Sequence, residues 1–112
     1  MQTREIEKRY WQEFFDQVSA ALQGKLIRIE VDSLDLGAQV EVERLSLNGL
    51  SYDTRGDIFI IDTDEIEHLI RSPQQIFVAD GEEGINSIDI RCADGSEQIL
   101  SFSEPLALPA AH

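Results

Sequence analysis

Apolar residues recur at every second position from Leu26 onward, and this alternation constrains the fold more than any other feature of the chain. In 26–32, Ile27, Ile29 and Val31 share one phase, while charged residues take the other. A period of two is that of a β-strand with one covered face, because successive side chains point to opposite sides. Further strands are predicted along the chain at 38–47, 57–62, 75–79, 87–92 and 97–102.

One of these strands changes phase part-way. Val40 and Val42 point inward, Arg44 then occupies the next inward place, and Leu45 and Leu47 continue on the shifted phase. An extra residue of this kind is typical of a β-bulge, which also bends the strand that carries it.

Asn48-Gly49 is the strongest two-residue hairpin signal in the chain. This dipeptide suits a tight turn that requires left-handed backbone angles at both positions. We therefore expect it to pair 45–47 with 50–52. An earlier turn is predicted at 33–37.

A second hairpin is predicted near the end of the chain. Asp94-Gly95 separates two alternating segments, 87–92 and 97–102. We expect Leu100 and Phe102 to lie opposite Ile90 and Ile88 across this hairpin.

The middle of the chain is less regular. The run Ile58-Phe59-Ile60-Ile61 is apolar on both phases and predicts a strand covered on both faces. The segment 63–71 fits either a short helix or a strand, and we favour the strand because its neighbours are strands.

The N-terminal segment has helical spacing instead. An amphipathic helix is predicted over about 5–23, because its apolar residues return every three or four positions after Trp11. The apolar set is Ile6, Trp11, Phe14, Phe15, Val18 and Leu22. Gly24 is well placed to end this helix, and we assign the aromatic residues to the core rather than to a cofactor site.

These elements predict an α+β protein. One helix precedes five to seven short strands, and no second helix is long enough to cross between parallel strands. We expect a strongly bent antiparallel sheet or a small, partly open β-barrel with an Sm-like or SH3-like outline. Residues 1–102 are predicted to form one domain, with 103–112 as a loosely held tail.

The charge argues against nucleic acid as a partner. The chain has 22 Asp and Glu against 9 Lys and Arg, a formal net charge of −13. Phosphate backbones are bound by basic residues, and the few here are scattered. Anionic membrane surfaces are disfavoured for the same reason.

The same composition bears on location. Cys92 is the single cysteine of the sequence, so no internal disulfide can form. The first 15 residues carry charges where a signal peptide needs an apolar run, and no stretch has the length of a membrane span. We expect a cytoplasmic protein.

Candidate sites for chemistry are few. His68 follows Glu67 and lies near Asp62 and Asp64, a set that could form a carboxylate–imidazole metal site. The alternative is a solvated acidic turn, which we favour. Cys92 falls on an apolar phase, so we assign it to the core rather than to nucleophilic chemistry. No catalytic residue or cofactor is predicted.

Several short motifs resemble a family of small bacterial proteins of unknown function. They are Trp11-x-x-Phe14-Phe15-Asp16, Ile29-Glu30-Val31, 35–39, 45–50 and Ala93-Asp94-Gly95, in that order. The resemblance runs from about residue 1 to residue 102. It implies an acidic, single-domain bacterial protein and carries no reaction or catalytic residue.

The favoured hypothesis is a non-enzymatic binding or assembly module that acts through protein–protein contacts, as a homo-oligomer that pairs sheet edges. One alternative is a small enzyme or a ligand- or metal-binding protein that uses carboxylates and His68. Another is an acidic mimic of nucleic acid, which would require acids arranged in a stripe.

Overall fold

Eight strands and one α-helix make up residues 2–82 and 84–103, the part of the chain that the computed structural model describes. Strand β1 (Gln2–Ile6) comes first, followed by a 3-10 turn (Lys8–Tyr10) and helix α1 (Trp11–Leu22). The other strands are β2 (Leu26–Ser33), β3 (Gly37–Asp53), β4 (Ile58–Thr63), β5 (Glu67–Arg71), β6 (Pro73–Gly81), β7 (Gly84–Cys92) and β8 (Glu97–Ser103). The protein is α+β, as predicted.

The strands form one antiparallel sheet in the order β1-β6-β7-β8-β2-β3-β4-β5. The 17-residue strand β3 joins its two halves, because its first part pairs with β2 and its last part with β4. Within the described residues the sheet is not closed, and β1 and β5 are its edges.

The sheet is strongly curled. β5 and β8 are four strands apart, which would separate them by roughly 19 Å in a flat sheet. Yet His68 Nε2 of β5 lies 2.7 Å from Gln98 Oε1 of β8. Part of this curvature comes from the bulge predicted at Arg44, which is confirmed. Ile27 pairs with Leu45 and Arg28 with Glu43, so Arg44 is the extra residue, with a φ of 61°.

Curling places the buried side chains of both sheet halves in one core. Helix α1 packs against β3 on this inner side and contributes Trp11, Phe15 and Leu22. Phe15 meets Phe59 edge-on at 4.8 Å between ring centroids, and Trp11 meets Tyr52 at 5.0 Å. Burial of a large apolar side chain contributes about 1.5–3 kcal/mol, so this aromatic face fixes the helix on the sheet.

The prediction of a helix over 5–23 is wrong at its start. The first residues form edge strand β1, in which Ile6 is buried and pairs with Ile76. Ile6 lies five positions before Trp11, outside the helical spacing of three or four. Its carbonyl instead accepts a hydrogen bond from Trp11 Nε1 at 2.7 Å, which holds the helix start against the strand end.

The predicted hairpin at Asn48-Gly49 is also wrong, because β3 continues through it. Gly49 instead lets helix α1 approach the strand closely, because glycine has no side chain. A Cβ atom at this position would lie 3.0 Å from Ser19 Oγ. The Ser19 hydroxyl accepts a hydrogen bond from the Leu50 N–H at 2.9 Å. The glycine therefore marks a helix–strand contact and a break in strand pairing between Leu47 and Gly49.

The last hairpin exists, but its register differs from the prediction by two residues. Leu100 lies opposite Ile88, and Gln98 lies opposite Ile90. The Cys92 N–H donates to the Ser96 carbonyl, which leaves three loop residues, and Gly95 has a φ of 87°. A three-residue loop with glycine in the left-handed region sets this register.

Two further predictions concern the segment 63–71 and the strand count. Glu67–Arg71 forms strand β5, so the strand favoured for this segment is confirmed. A turn precedes it, in which the Thr63 hydroxyl accepts hydrogen bonds from the Glu65 and Ile66 N–H groups. The described residues contain eight strands rather than five to seven, because Gln2–Ile6 forms strand β1 instead of the start of the helix. Of the predicted tail, Ser103 ends β8 and 104–112 lie outside the described residues.

Candidate functional site

The residues proposed from sequence as a metal site do not converge. Asp62 and Glu67 lie opposite each other on β4 and β5, and both are exposed, as is Asp64. His68 is next to Glu67 in the strand, so its side chain points to the other side of the sheet. There it is half-buried and hydrogen-bonded to Gln98. In the described ranges, no three His, Cys, Asp or Glu side chains are grouped to hold a metal ion.

Cys92 ends strand β7 and is half-buried. Burial raises the pKa of the Cys92 thiol, while a hydrogen bond with Ser96 opposes this shift. A raised thiol pKa disfavours the thiolate that nucleophilic chemistry requires. This environment supports the assignment of Cys92 to packing.

A different region has the geometry of a binding site. The side of the sheet that faces away from the core carries a cleft of about 440 Å³, here called the outer cleft. Its walls combine apolar, hydroxyl and charged side chains: Thr3, Phe77, Ala79, Ser87, Asp89, Arg91 and Ile99. These residues come from β1, β6, β7 and β8, four neighbouring strands of the sheet.

Strand alternation places these side chains. In β7, Ile88 and Ile90 are buried in the core, so Ser87, Asp89 and Arg91 point to the opposite side. Across the strands, Asp89 lies between Phe77 of β6 and Ile99 of β8. Asp89 is therefore at the centre of the outer cleft, between two apolar side chains.

Burial raises the pKa of Asp89 to about 7, and a hydrogen bond with Glu97 and the Glu97 charge add to this effect. The charge of Arg91 acts in the opposite direction. A carboxyl with this pKa is close to half-protonated at neutral pH, whereas an ordinary aspartate is ionised. One of its oxygens, Oδ1, is buried and has no hydrogen-bond partner among the described residues.

Arg91 is held by three neighbours. Its guanidinium lies over the Phe77 ring at 4.6 Å, its Nε donates to Glu97 Oε2 at 3.4 Å, and an Nη lies 3.8 Å from Asp89 Oδ2. Stacking and pairing hold the Arg91 guanidinium on the Oδ2 side of Asp89, so Oδ1 receives no hydrogen bond from it. A second cleft of about 360 Å³ begins on the other side of Arg91 and Glu97.

The surroundings of the cleft are acidic. By register, the outer side of β1, β6, β7, β8 and β2 carries five carboxyl groups and two guanidinium groups. The acids are Glu5, Glu30, Asp32, Asp89 and Glu97, and the bases are Arg28 and Arg91. Arg28 is paired with Glu30 at 3.3 Å. This face therefore favours a cation over an anion.

Sequence reasoning missed this site because it depends on the register of the last hairpin. With the predicted register, Asp89 and Arg91 would lie opposite Ser101 and Ile99. In the structure, Arg91 lies opposite Glu97, and Glu97 is diagonal to Asp89. The available signal was the position of Gly95, which suits a three-residue loop as well as a two-residue one.

None of the helices in the described ranges has the length and apolar character needed to cross a membrane. The model of a family of unknown function, DUF5335, matches residues 2–111. An uncharacterised protein of the bacterium Aquifex aeolicus (strain VF5) is 36% identical over 110 residues, which cover 97% of this chain and 99% of that protein. No solved structure gives a significant match. The resemblance found in the sequence motifs is thus confirmed, and the chain belongs to the family of unknown function DUF5335.

Proposed function

We propose that this chain is a non-catalytic, acidic binding module that acts through protein–protein contacts. Its recognition surface is the outer cleft, which receives a lysine or arginine side chain of a partner protein. The observation that carries the proposal is Asp89, which lines a cleft of about 440 Å³ and whose buried Oδ1 has no hydrogen-bond partner among the described residues.

The chemistry of the walls supports a long, cationic side chain. Phe77, Ala79 and Ile99 offer apolar surface to a methylene stem, while Asp89 offers an acceptor to the charged head. Lysine and arginine combine these two parts in one side chain. A cation next to Asp89 also favours its ionised form, so binding releases the proton that the free protein holds.

The clefts on either side of Arg91 favour a peptide segment over a single small molecule. They share Arg91, and together they follow the outer side of β7 and β8 toward the turns at 33–37 and 93–96. A segment of a partner protein can occupy both, with its basic side chain in the outer cleft. The net charge of −13 adds long-range attraction for such a segment.

An enzyme is the second candidate, because a carboxyl with a pKa of about 7 suits proton transfer at neutral pH. It would use Asp89 and Glu97 rather than His68, which lies on the other side of the sheet. A nucleic-acid mimic is less favoured, because Arg28 and Arg91 interrupt the acids of this face.

The test is a titration of 15N-labelled protein with a lysine-containing hexapeptide, followed by NMR at 0.15 M salt. A peptide with norleucine in place of lysine is the matched probe, because it keeps the stem and lacks the charge. We expect shifts centred on Phe77, Asp89 and Ile99 with the lysine peptide. Its affinity should rise several-fold between pH 6 and pH 8, as Asp89 ionises.

Two variants with the same change in net charge make the test specific. Asp89→Asn should weaken lysine-peptide binding about tenfold, equivalent to about 1.4 kcal/mol. Asp16→Asn, on the exposed side of helix α1, should change it less than twofold. Equal losses in both variants, or shifts spread over all acidic surfaces, would show non-specific attraction and reject the proposal.

A further inference from the structure

Strand β5 is an edge with an apolar centre and charged ends. Within the described residues it pairs only with β4. Leu69, at its centre, is 39% exposed, and Ile66, just before the strand, is 44% exposed. An edge with exposed apolar residues and free backbone groups is a template for pairing with another strand.

The charges of β5 are arranged for pairing with itself. Glu67 and Arg71 lie two positions on either side of Leu69, and strand alternation places all three side chains on one side of the sheet. Neither charge forms an ion pair with another residue of the described ranges. They are therefore available to a partner.

We propose that a second copy of this chain pairs antiparallel with β5 about a two-fold axis at Leu69. In this register each Leu69 faces its counterpart, and each Glu67 faces Arg71 of the other copy. Directly opposed side chains in antiparallel strands are in contact, and opposite charges at such positions stabilise the pair. A two-fold interface repeats every contact, so it contains two such ion pairs.

Other registers lose this complementarity. A two-fold axis at His68 places Glu67 opposite Leu69, and an axis at Ile70 places Arg71 opposite Leu69. In both registers Leu69 faces a charged side chain, and the Glu67–Arg71 pairs do not form. Glu65, which would face Arg71 in the first of them, lies in the turn before the strand. In the Leu69 register, the two Leu69 side chains also extend an apolar surface. Ile60 of β4 is half-buried beside Leu69 on the same side of the sheet.

The other edge lacks these features. In β1, Ile6 is the one apolar residue and is buried, while the other four residues are exposed and polar. Arg4 is already paired with Asp80 at 2.9 Å. A two-fold axis at Arg4 would place Thr3 opposite Glu5, without charge complementarity. The structure thus favours β5 as the self-association edge, independently of the outer cleft.

The test measures molecular mass by light scattering after size exclusion, from about 1 to 200 μM protein. We expect a wild-type dimer in this range. Glu67→Lys and Arg71→Glu each place like charges opposite each other across the axis, so each variant alone should be monomeric. Glu13→Lys, an exposed helix position, makes the same charge change as Glu67→Lys and should remain dimeric.

A mixture of the two variants provides the decisive readout. When Glu67→Lys and Arg71→Glu are combined one to one, both opposed charge pairs across the axis become attractive, so a heterodimer should form. Circular dichroism checks that both variants fold, and rescue by mixing also excludes loss of folding as the cause. A wild-type monomer at 200 μM would overturn the proposal. Dimers that persist in both variants, or a mixture that stays monomeric, would do the same.

Discussion

Asp57 and Asp89 are both partly buried, with side chains 37% and 27% exposed, but their pKa values move in opposite directions. The Tyr52 hydroxyl donates to Asp57 Oδ1 at 2.5 Å, and Lys8 Nζ lies 3.3 Å from the same atom. The hydrogen bond from Tyr52 and the Lys8 charge hold the pKa of Asp57 below its ordinary value. Burial and Glu97 raise that of Asp89 to about 7.

The difference shows that burial and partners together separate a structural carboxylate from a candidate binding group. Asp57 satisfies a buried tyrosine and attaches the segment before helix α1 to the turn between β3 and β4. Asp89 lies diagonal to another acid, Glu97, and its Oδ1 has no donor among the described residues. Burial of Asp89 costs free energy, and a cationic ligand that binds next to it would offset this cost. Asp57 already has a hydrogen-bond donor and a cation as neighbours.

The largest expected effect on the free energy of unfolding comes from Asp57, the carboxylate with a structural role. Asp57→Ala removes the acceptor of the Tyr52 hydroxyl and leaves it buried and unpaired, at a cost of about 1–3 kcal/mol. It also places alanine at a φ of 53°, which costs about 1–2 kcal/mol more. We therefore expect urea unfolding to show a loss of about 2–5 kcal/mol.

Asp57→Asn is the matched control for this change. It keeps an acceptor oxygen and tolerates the left-handed backbone, so the loss should be about 1 kcal/mol. The pKa of Tyr52, raised to about 12 by burial, the Asp57 hydrogen bond and the neighbouring carboxylates, should fall in both variants. Equal stability of the alanine and asparagine variants would mean that Asp57 does not have the assigned role.

The next effect is the pH dependence of stability caused by Asp89. Its folded-state pKa of about 7 is above the unfolded value of about 3.9, so the folded state binds more protons between these two values. Its contribution to stability therefore declines as pH rises from 4 to 7. After a discount for solvent screening, we expect a loss of about 1–2 kcal/mol between pH 5 and pH 8.

Asp89→Asn should remove this decline and make the protein more stable than wild type at pH 8, but not at pH 5. Asp57→Asn should leave the decline unchanged, because the lowered pKa of Asp57 affects stability below pH 4. Chemical unfolding at the two pH values measures both slopes. A wild-type slope retained by Asp89→Asn would contradict the assignment of the raised pKa to this residue.

Local features of the fold could be predicted from the sequence, whereas features that depend on distant contacts could not. Alternation at Ile27, Ile29 and Val31 correctly predicted β2, and the phase change at Arg44 correctly predicted the bulge, because both are local properties. The α+β class followed from the same patterns. The roles of Asn48-Gly49 and Ile6 depend on the approach of helix α1 and on pairing with β6, which local patterns do not report.

The site was harder to predict than the fold. The Asp89–Glu97 contact requires the register of the last hairpin, and a change of two residues exchanges one opposed pair for another without altering the alternation. Both registers bury Ile88 and Ile90 equally well. Asp57 posed the same difficulty, because its Tyr52 and Lys8 partners meet only after β3, β4 and the N-terminal segment have packed.

The smallest expected effect separates Asp89 further from Asp57. Arg91→Gln removes the cation that opposes the raised pKa of Asp89, so this pKa should rise above 7. The Arg91 side chain is 52% exposed, so the free energy of unfolding should change by less than about 1 kcal/mol. Carboxyl 13C NMR of Asp89 across pH 4–9 measures the shift.

Arg28→Gln makes the same charge change on the same side of the sheet, where Arg28 pairs with Glu30, and should affect Asp89 much less. Equal effects of the two variants would mean that Asp89 responds to the charge of the whole face. Its pKa would then not support a specific cation contact in the outer cleft.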